Sequence, residues 1–416
     1  MTPHADAVAS VHSETAIDLV LAELVTISSV TPRDEAPCAD RPGEQALAEY
    51  VVDWLSARGV TAALQEALPG RPNVVASVAG ASERAVLLET HLDTVEVDGM
   101  TQPFLPRVAN DRLYGRGSAD AKASLAAFMV ALARLAASSC PPPVTVVLAA
   151  VADEEHAYRG VLAFLAAAGD TDFVGAIVGE PTSLVPGIAH TGCVRATVRI
   201  SGVSGHSSRP ADAMNAIGLA ATVVQRIESV QPLAPRHPLL GTGSRTVTRI
   251  ASGEGPNVVP GSCELDVDRR TVPGEEPETV LDELRAELDR ELPGRVTIDP
   301  PFTVDYSLDT PLDATIVTAL RSALRTAGLA AEPSGMPFGT DASKIARVGI
   351  PAVVFGPGDI ADAHTIDESV DLGEVRLAVD LVLATIAALA PGADNDSTAH
   401  DSTAHDGTAH ENNEES

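Results

Sequence analysis

Four short apolar runs in this sequence stop at an acid or an imidazole, and that repeated ending constrains the fold more than any other feature. The run at 85–88 continues through Glu89 and Thr90 into His91-Leu92-Asp93. The run at 144–152 ends in Asp153-Glu154-Glu155, and that at 173–179 in Glu180-Pro181-Thr182. The fourth, at 352–355, meets Gly356-Pro357-Gly358, and a short loop brings His364. Runs of this length suit buried strands and fall well short of the roughly 18 apolar residues of a membrane helix. Between them, residues 15–27, 44–58, 121–137 and 161–168 repeat apolar side chains at helical spacing. Gly59 follows the second of these, where a left-handed residue commonly ends a helix. Strands alternating with helices predict an α/β domain whose sheet is covered by helices on both faces.

The middle of the chain is organised differently. It runs strand (194–200), helix (213–230), strand (245–250), strand (258–270), helix (277–291), strand (295–299). That β-α-β-β-α-β order is the ferredoxin-like pattern. Cys263, Leu265 and Val267 alternate with Glu264, Asp266 and Asp268, which predicts one buried and one wet face. The expected architecture is a discontinuous α/β domain at 14–192 and 301–390, an inserted α+β domain at 193–300, and a tail at 391–416. The tail repeats STAHD, STAHD, GTAHE between Ser397 and Glu411, with seven acids and no Lys or Arg from Pro391 onward. A five-residue period with nothing apolar to bury predicts disorder, with His400, His405 and His410 offering only weak metal contacts.

Composition then excludes partners. Fifty-eight Asp and Glu against twenty-eight Lys and Arg give a net charge of −30, which argues against nucleic acid or an anionic membrane, since both need a cationic footprint. The four cysteines are scattered, and the N-terminal stretch carries His4, Asp6 and His12 in place of an apolar signal segment. The expectation is a soluble cytoplasmic chain.

In open α/β sheets, ligands gather at the carboxyl ends of the strands. The four runs deliver His91, Asp93, Glu154, Glu155, Glu180 and His364 to that edge, and Asp120 follows a glycine-rich Gly115–Ala119 stretch just before a long apolar helix. Imidazoles and carboxylates without thiolates suit a divalent ion such as zinc, manganese or cobalt. There are more of them than one tetrahedral ion needs, so a two-metal site is expected. Each segment alone has an ordinary reading: a capped turn for His-Leu-Asp, a solvated strand end for Glu-Glu, a turn for Gly-Glu-Pro-Thr. The glycines before Asp120 resemble a phosphate loop, but no Gly-Lys-Ser/Thr follows. Neighbours in a strand point to opposite faces, so Glu154 and Glu155 share a site only where the strand has ended and the backbone turns.

In this order the five segments resemble the M20 metallopeptidases, the group of aminoacylase, acetylornithine deacetylase and succinyl-diaminopimelate desuccinylase, over residues 15–390. The resemblance implies two divalent metal ions per subunit, zinc first, with cobalt or manganese as alternatives. It puts His91 and Glu180 on one ion, Asp120 between the two, and Glu155 and His364 on the second. Asp93 would orient His91, and Glu154 would be the general base. In dimeric members the counterpart of His206, in Gly205-His206-Ser207, reaches the partner's active site. The inserted domain would thus be a lid and the homodimer interface. Asn257 and Arg270 match substrate contacts, although Arg270 shares its strand face with Glu264, Asp266 and Asp268 and has charge pairing as its alternative. Gly339 and Thr340 match a contact on the substrate carboxylate side. Desuccinylases carry consecutive arginines where this chain has His190 and Thr191, whereas residues 355–365 look like acetylornithine deacetylases. The implied reaction is amide hydrolysis of an N-acyl amino acid, Nα-acetylornithine or a similar N-acetyl amino acid. A dipeptidase or carboxypeptidase and a desuccinylase are the alternatives within the family. A metal-binding protein without catalysis and a nucleotide-dependent enzyme are those outside it.

Overall fold

The computed structural model describes residues 14–229, 233 and 235–390; the N-terminal stretch and the acidic repeat tail read from the sequence lie outside them. The larger sheet has nine strands. Its order is Thr61–Leu68, Arg71–Val78, Thr145–Val151, Ala85–His91, Phe173–Val178, Ala352–Val354, Gly187–His190 and Leu308–Asp309, with Ser334–Met336 also pairing to Gly187–His190. The four central strands are mutually parallel, and they contain the four apolar runs that end in chemistry. Their carboxyl ends therefore share one edge.

Alternation within these strands separates two cores. Val86, Leu88, Val146, Leu148, Ile177 and Val353 pack into the cluster built with helices Glu14–Thr26, Gln45–Ser56, Lys122–Ala137, Thr315–Thr326 and Leu372–Ala387. Leu87, Ala149, Val151, Ala176, Val178, Ala352 and Val354 face the other way, onto helices Arg159–Ala168 and Ala342–Arg347. Burying one such aliphatic side chain contributes about 1.5–3 kcal/mol, and a one-residue slip would turn every one of them to the wrong layer. Helix Lys122–Ala137 is buried from Lys122 through Ala133, which explains its lack of a polar face. This helix fixes the position of the loop carrying Asp120.

The inserted unit is the ferredoxin-like α+β fold. Its sheet runs Ser244–Ser252, Ser262–Thr271, Gly192–Ser201, Val296–Ile298, with helices Ala216–Ser229 and Pro277–Glu291 on one face. Cys263, Leu265 and Val267 are buried against those helices, and Glu264, Asp266 and Asp268 lie on the other face. The continuous strand expected over 258–270 is broken. Val258–Val259 pairs with Gly205–His206, and the long strand starts only at Ser262, because Pro260 has no N–H to give a ladder. The strand Thr303–Asp305 adds to Gly192–Ser201 before the chain re-enters the large sheet at Leu308–Asp309. Both crossings between the sheets therefore run side by side. No helix among the described residues is long and apolar enough to cross a membrane.

Candidate metal centre

His91 is the last residue of its strand and is buried. Its Nδ1–H donates to the Asp93 backbone carbonyl at 2.8 Å, which turns Nε2 into the site. That Nε2 lies 2.9 Å from Asp120 Oδ1, while His364 Nε2 lies 3.2 Å from Asp120 Oδ2 and 3.0 Å from Glu155 Oε1. One carboxylate thus faces both imidazoles. Glu180 Oε2 is 3.9 Å from His91 Nε2. Two trios bring one donor atom each to within 4.8 Å of one another: His91, Asp120 and Glu155, and His91, Glu154 and Glu180. Glu154 and Glu155 share the site as the strand-end argument required. The strand stops at Val151 and the backbone turns at Asp153, whose φ is +69°.

The role expected of Asp93 differs in detail. Its carboxylate is 3.7 Å from His91 Nδ1 and instead accepts the backbone N–H groups of Glu154 and Glu155, each at 3.1 Å. It orients His91 through its carbonyl, and its side chain holds the turn that carries the two glutamates. Spacing cannot reveal this, since the partners arrive from a strand some sixty residues away.

Several supporting residues escaped the sequence reading. Arg71, almost wholly buried, grips both oxygens of Glu44 at 2.8 and 2.7 Å and reaches Asp153 Oδ1 at 2.9 Å. Glu368 pairs with Arg116 at 2.6 Å and accepts the backbone N–H groups of Gly117, Ala119 and Asp120, which clamps the loop before the buried helix. Lys122 is fully buried and donates to the Leu24 and Ile27 carbonyls; burial pushes its pKa down to about 7. The one available signal was rarity, because Lys122 and Lys344 are the only lysines in the chain.

Electrostatics single out the same residues. Burial, and then repulsion from Glu180, raises the Glu154 pKa. Glu180 is raised by burial, which repulsion from Asp120 reinforces and His91 opposes. Burial raises Asp120 as well, but hydrogen bonds from His364 and His91 outweigh it and hold that carboxyl below the usual range. Buried carboxylates this close together stay ionised only with positive charge among them. Two imidazoles and four carboxylates with no thiolate fit hard-to-borderline divalent cations.

The remaining candidates divide. Gly339 lines the cleft over the cluster, a cavity of about 360 Å³ that also takes in Arg195 and Thr303 of the inserted unit. A Cβ on Gly339 would lie 1.6 Å from Asp305 Oδ2. Asp305 cannot give way, since Lys344 holds it at 2.5 Å and Ser343 at 3.3 Å. Thr340 is buried, and its hydroxyl accepts the Ala342 N–H at the start of a helix. His206 and Asn257 are exposed together, with the Ser207 N–H donating to the Asn257 carbonyl, and His206 Nδ1 bonds only Ser208. Neither is among the residues that line the cleft. Arg270 donates through Nε to Asp268 at 2.9 Å, so the charge pairing weighed for it is present.

The family described as peptidase family M20/M25/M40 matches residues 87–388. An acetylornithine deacetylase of Myxococcus xanthus is 33% identical over 388 residues, covering 90% of this chain and 97% of that protein. A tripeptidase of Staphylococcus aureus superposes with a TM-score of 0.74 at 21% identity, over 91% of this chain and 99% of that one. A dinuclear metal binding peptidase of the M20 family from Bacillus subtilis superposes at 0.69 and 16% identity, over 90% and 98%. The chain belongs to the M20/M25/M40 peptidase family and is a metal-dependent hydrolase of that family.

Proposed function

We propose that the chain hydrolyses the amide bond of an N-acyl amino acid at a two-metal centre, N-acetyl amino acids first, with Nα-acetylornithine the substrate that its sequence relatives nominate. The observation that carries this is the convergence of His91, Asp120, Glu155, Glu180 and His364 on one sheet edge, with Glu154 among them. His91 and Glu180 would hold one ion, Glu155 and His364 the other, with Asp120 between. Two bound divalent ions, zinc in the first place, supply Lewis acidity at the amide carbonyl and acidify water. Glu154 accepts the proton of the attacking water at its carboxylate. It returns that proton to the nitrogen as the C–N bond breaks, releasing the amine and the carboxylic acid. A raised pKa suits a group that must carry a proton between those two events. Asp93 keeps Glu154 and Glu155 in place through their backbone N–H groups. Gly339 lets the backbone of the cleft wall pass close to Asp305.

Chelation should remove activity on N-acetyl amino acids, and zinc or cobalt should restore it. Activity that survives metal removal, verified by elemental analysis, would overturn the reading. Turnover of peptides alone, with no N-acetyl amino acid cleaved, would replace it with an exopeptidase.

A homodimer through the inserted domain completes the proposal. The outer strand Ser244–Ser252 leaves Ile250 exposed, and Val203, Met214 and Ile217 are exposed nearby in sequence to His206. Light scattering should give twice the chain mass, and Ile250→Glu should halve it; a monomeric wild-type protein would refute the arrangement.

A further inference from the structure

Tyr158 lines the cleft over the metal cluster and has no part in the proposed reaction. Its backbone is left-handed, with φ at +59°, a conformation that glycine takes freely and a bulky residue rarely adopts. A large side chain held there points to a task for that side chain.

The backbone around Tyr158 belongs to the turn of the two glutamates. Tyr158 N–H donates to the Asp153 carbonyl at 2.7 Å, Ala157 N–H to the same oxygen at 3.1 Å, and Gly160 N–H to the Ala152 carbonyl at 3.0 Å. These bonds close a loop around Glu154 and Glu155, so a shift of Tyr158 is passed on to both.

The side chain leaves that loop and reaches two other elements. Its hydroxyl donates to Asp305 Oδ2 at 3.3 Å, and Lys344 Nζ lies 3.2 Å from the centre of its ring, a cation–π contact. Asp305 ends the strand Thr303–Asp305, which pairs with the first strand of the inserted sheet. Lys344 belongs to the helix Ala342–Arg347 on the large sheet. Both are buried, and Lys344 also bonds Asp305 Oδ1 at 2.5 Å. Among the described residues, Tyr158 is the only side chain that donates to Oδ2, the oxygen against which Gly339 carries no Cβ. Burial, and then the charges of Asp305 and Glu154, raises the phenol pKa, so the hydroxyl stays a donor. Asp93 and Arg71 hold the same turn from within the large domain. Tyr158 is its tie to the crossing from the inserted unit.

We propose that Tyr158 is a positioning residue: through Asp305 and Lys344 it fixes the glutamate turn to the strand on which the chain leaves the inserted unit, and so sets where Glu154 stands when it moves the proton. The inserted unit thereby acts on the chemistry within one chain. This role rests on Glu154 being the general base of the proposed hydrolysis.

The test is kcat and KM of metal-loaded Tyr158 variants on two substrates of unlike side chain, Nα-acetylornithine and N-acetylalanine, with metal content measured alongside. Tyr158→Phe keeps the ring on Lys344 and loses the hydroxyl. Its kcat should fall about 3- to 10-fold, the effect of one neutral hydrogen bond. Tyr158→Asn suits the left-handed backbone and removes both ring and hydroxyl. Its kcat should fall about 10- to 100-fold, the effect of a displacement of about 1 Å at a reacting group. In both variants KM should stay within about 2-fold and metal content should be unchanged, because the lost interaction serves the transition state and not substrate binding. The loss should also be equal on the two substrates. Unchanged kcat in both variants would overturn this inference alone, as would a loss explained by missing metal. A loss carried by KM, or one that differs between the substrates, would make Tyr158 a substrate contact and overturn it as well. No turnover of either substrate by the unaltered enzyme would overturn it together with the reading beneath it.

Discussion

Glu154→Gln is expected to lower kcat by about 10²- to 10⁴-fold, the usual contribution of a positioned general acid–base group, while metal content stays at that of the unaltered protein. Gln has the same shape and keeps the backbone N–H that Asp93 accepts, so the turn holding Glu155 should survive. What it lacks is the ability to accept a proton from water and hand it to the leaving nitrogen. The prediction discriminates because Glu154 also lies within ligand distance of His91 and Glu180. Were it chiefly a ligand, the variant would lose metal, and excess zinc would restore much of the rate. Full metal content with a collapsed rate assigns it to proton transfer. Lost metal with a rescued rate assigns it to the coordination shell. Near-normal turnover would sink both assignments.

The parts of this site that sequence could reveal share one property. His91, Glu154, Glu155 and Glu180 come within three residues of the end of an apolar run, so the strand that leads to each residue also announces it. The parallel pairing of those strands then places them on one edge without further information. The supports of the site were hidden for the opposite reason. Arg71 begins a strand that reads as Arg-Pro-Asn before any apolar residue, and its partner Glu44 reads as the opening of a helix. Nothing local says that they meet 27 residues apart. Arg195 was hidden in the same way: on its own strand it is one polar residue of an alternating pattern. Only the pairing with Asp268 and Thr303 shows that it faces the cleft. Periodicity gives the face on which a side chain sits, whereas long-range pairing decides what that face meets.

Arg71→Met should cost about 3–5 kcal/mol of stability, the range for breaking a buried ion pair on one side only. Glu44 and Asp153 are both fully buried, and removing the guanidinium strands the first carboxylate without a cation. Asp153 keeps Arg159, with bonds of 2.5 and 2.9 Å, so the main penalty falls on Glu44. Glu44 also accepts the Asp153 N–H at 3.2 Å, so the damage reaches the turn that presents Glu154 and Glu155. Metal affinity should therefore fall along with the denaturation midpoint. The double variant Arg71→Met/Glu44→Gln separates charge from packing. Replacing both partners removes the stranded charge, and buried pairs exchanged as a whole are often close to neutral in stability. Most of the lost stability should then return. If the single variant costs less than about 1 kcal/mol, or the double variant is no better than the single, the network is not what holds the turn. The rigidity of the glutamate pair would then have to come from Asp93 and Tyr158.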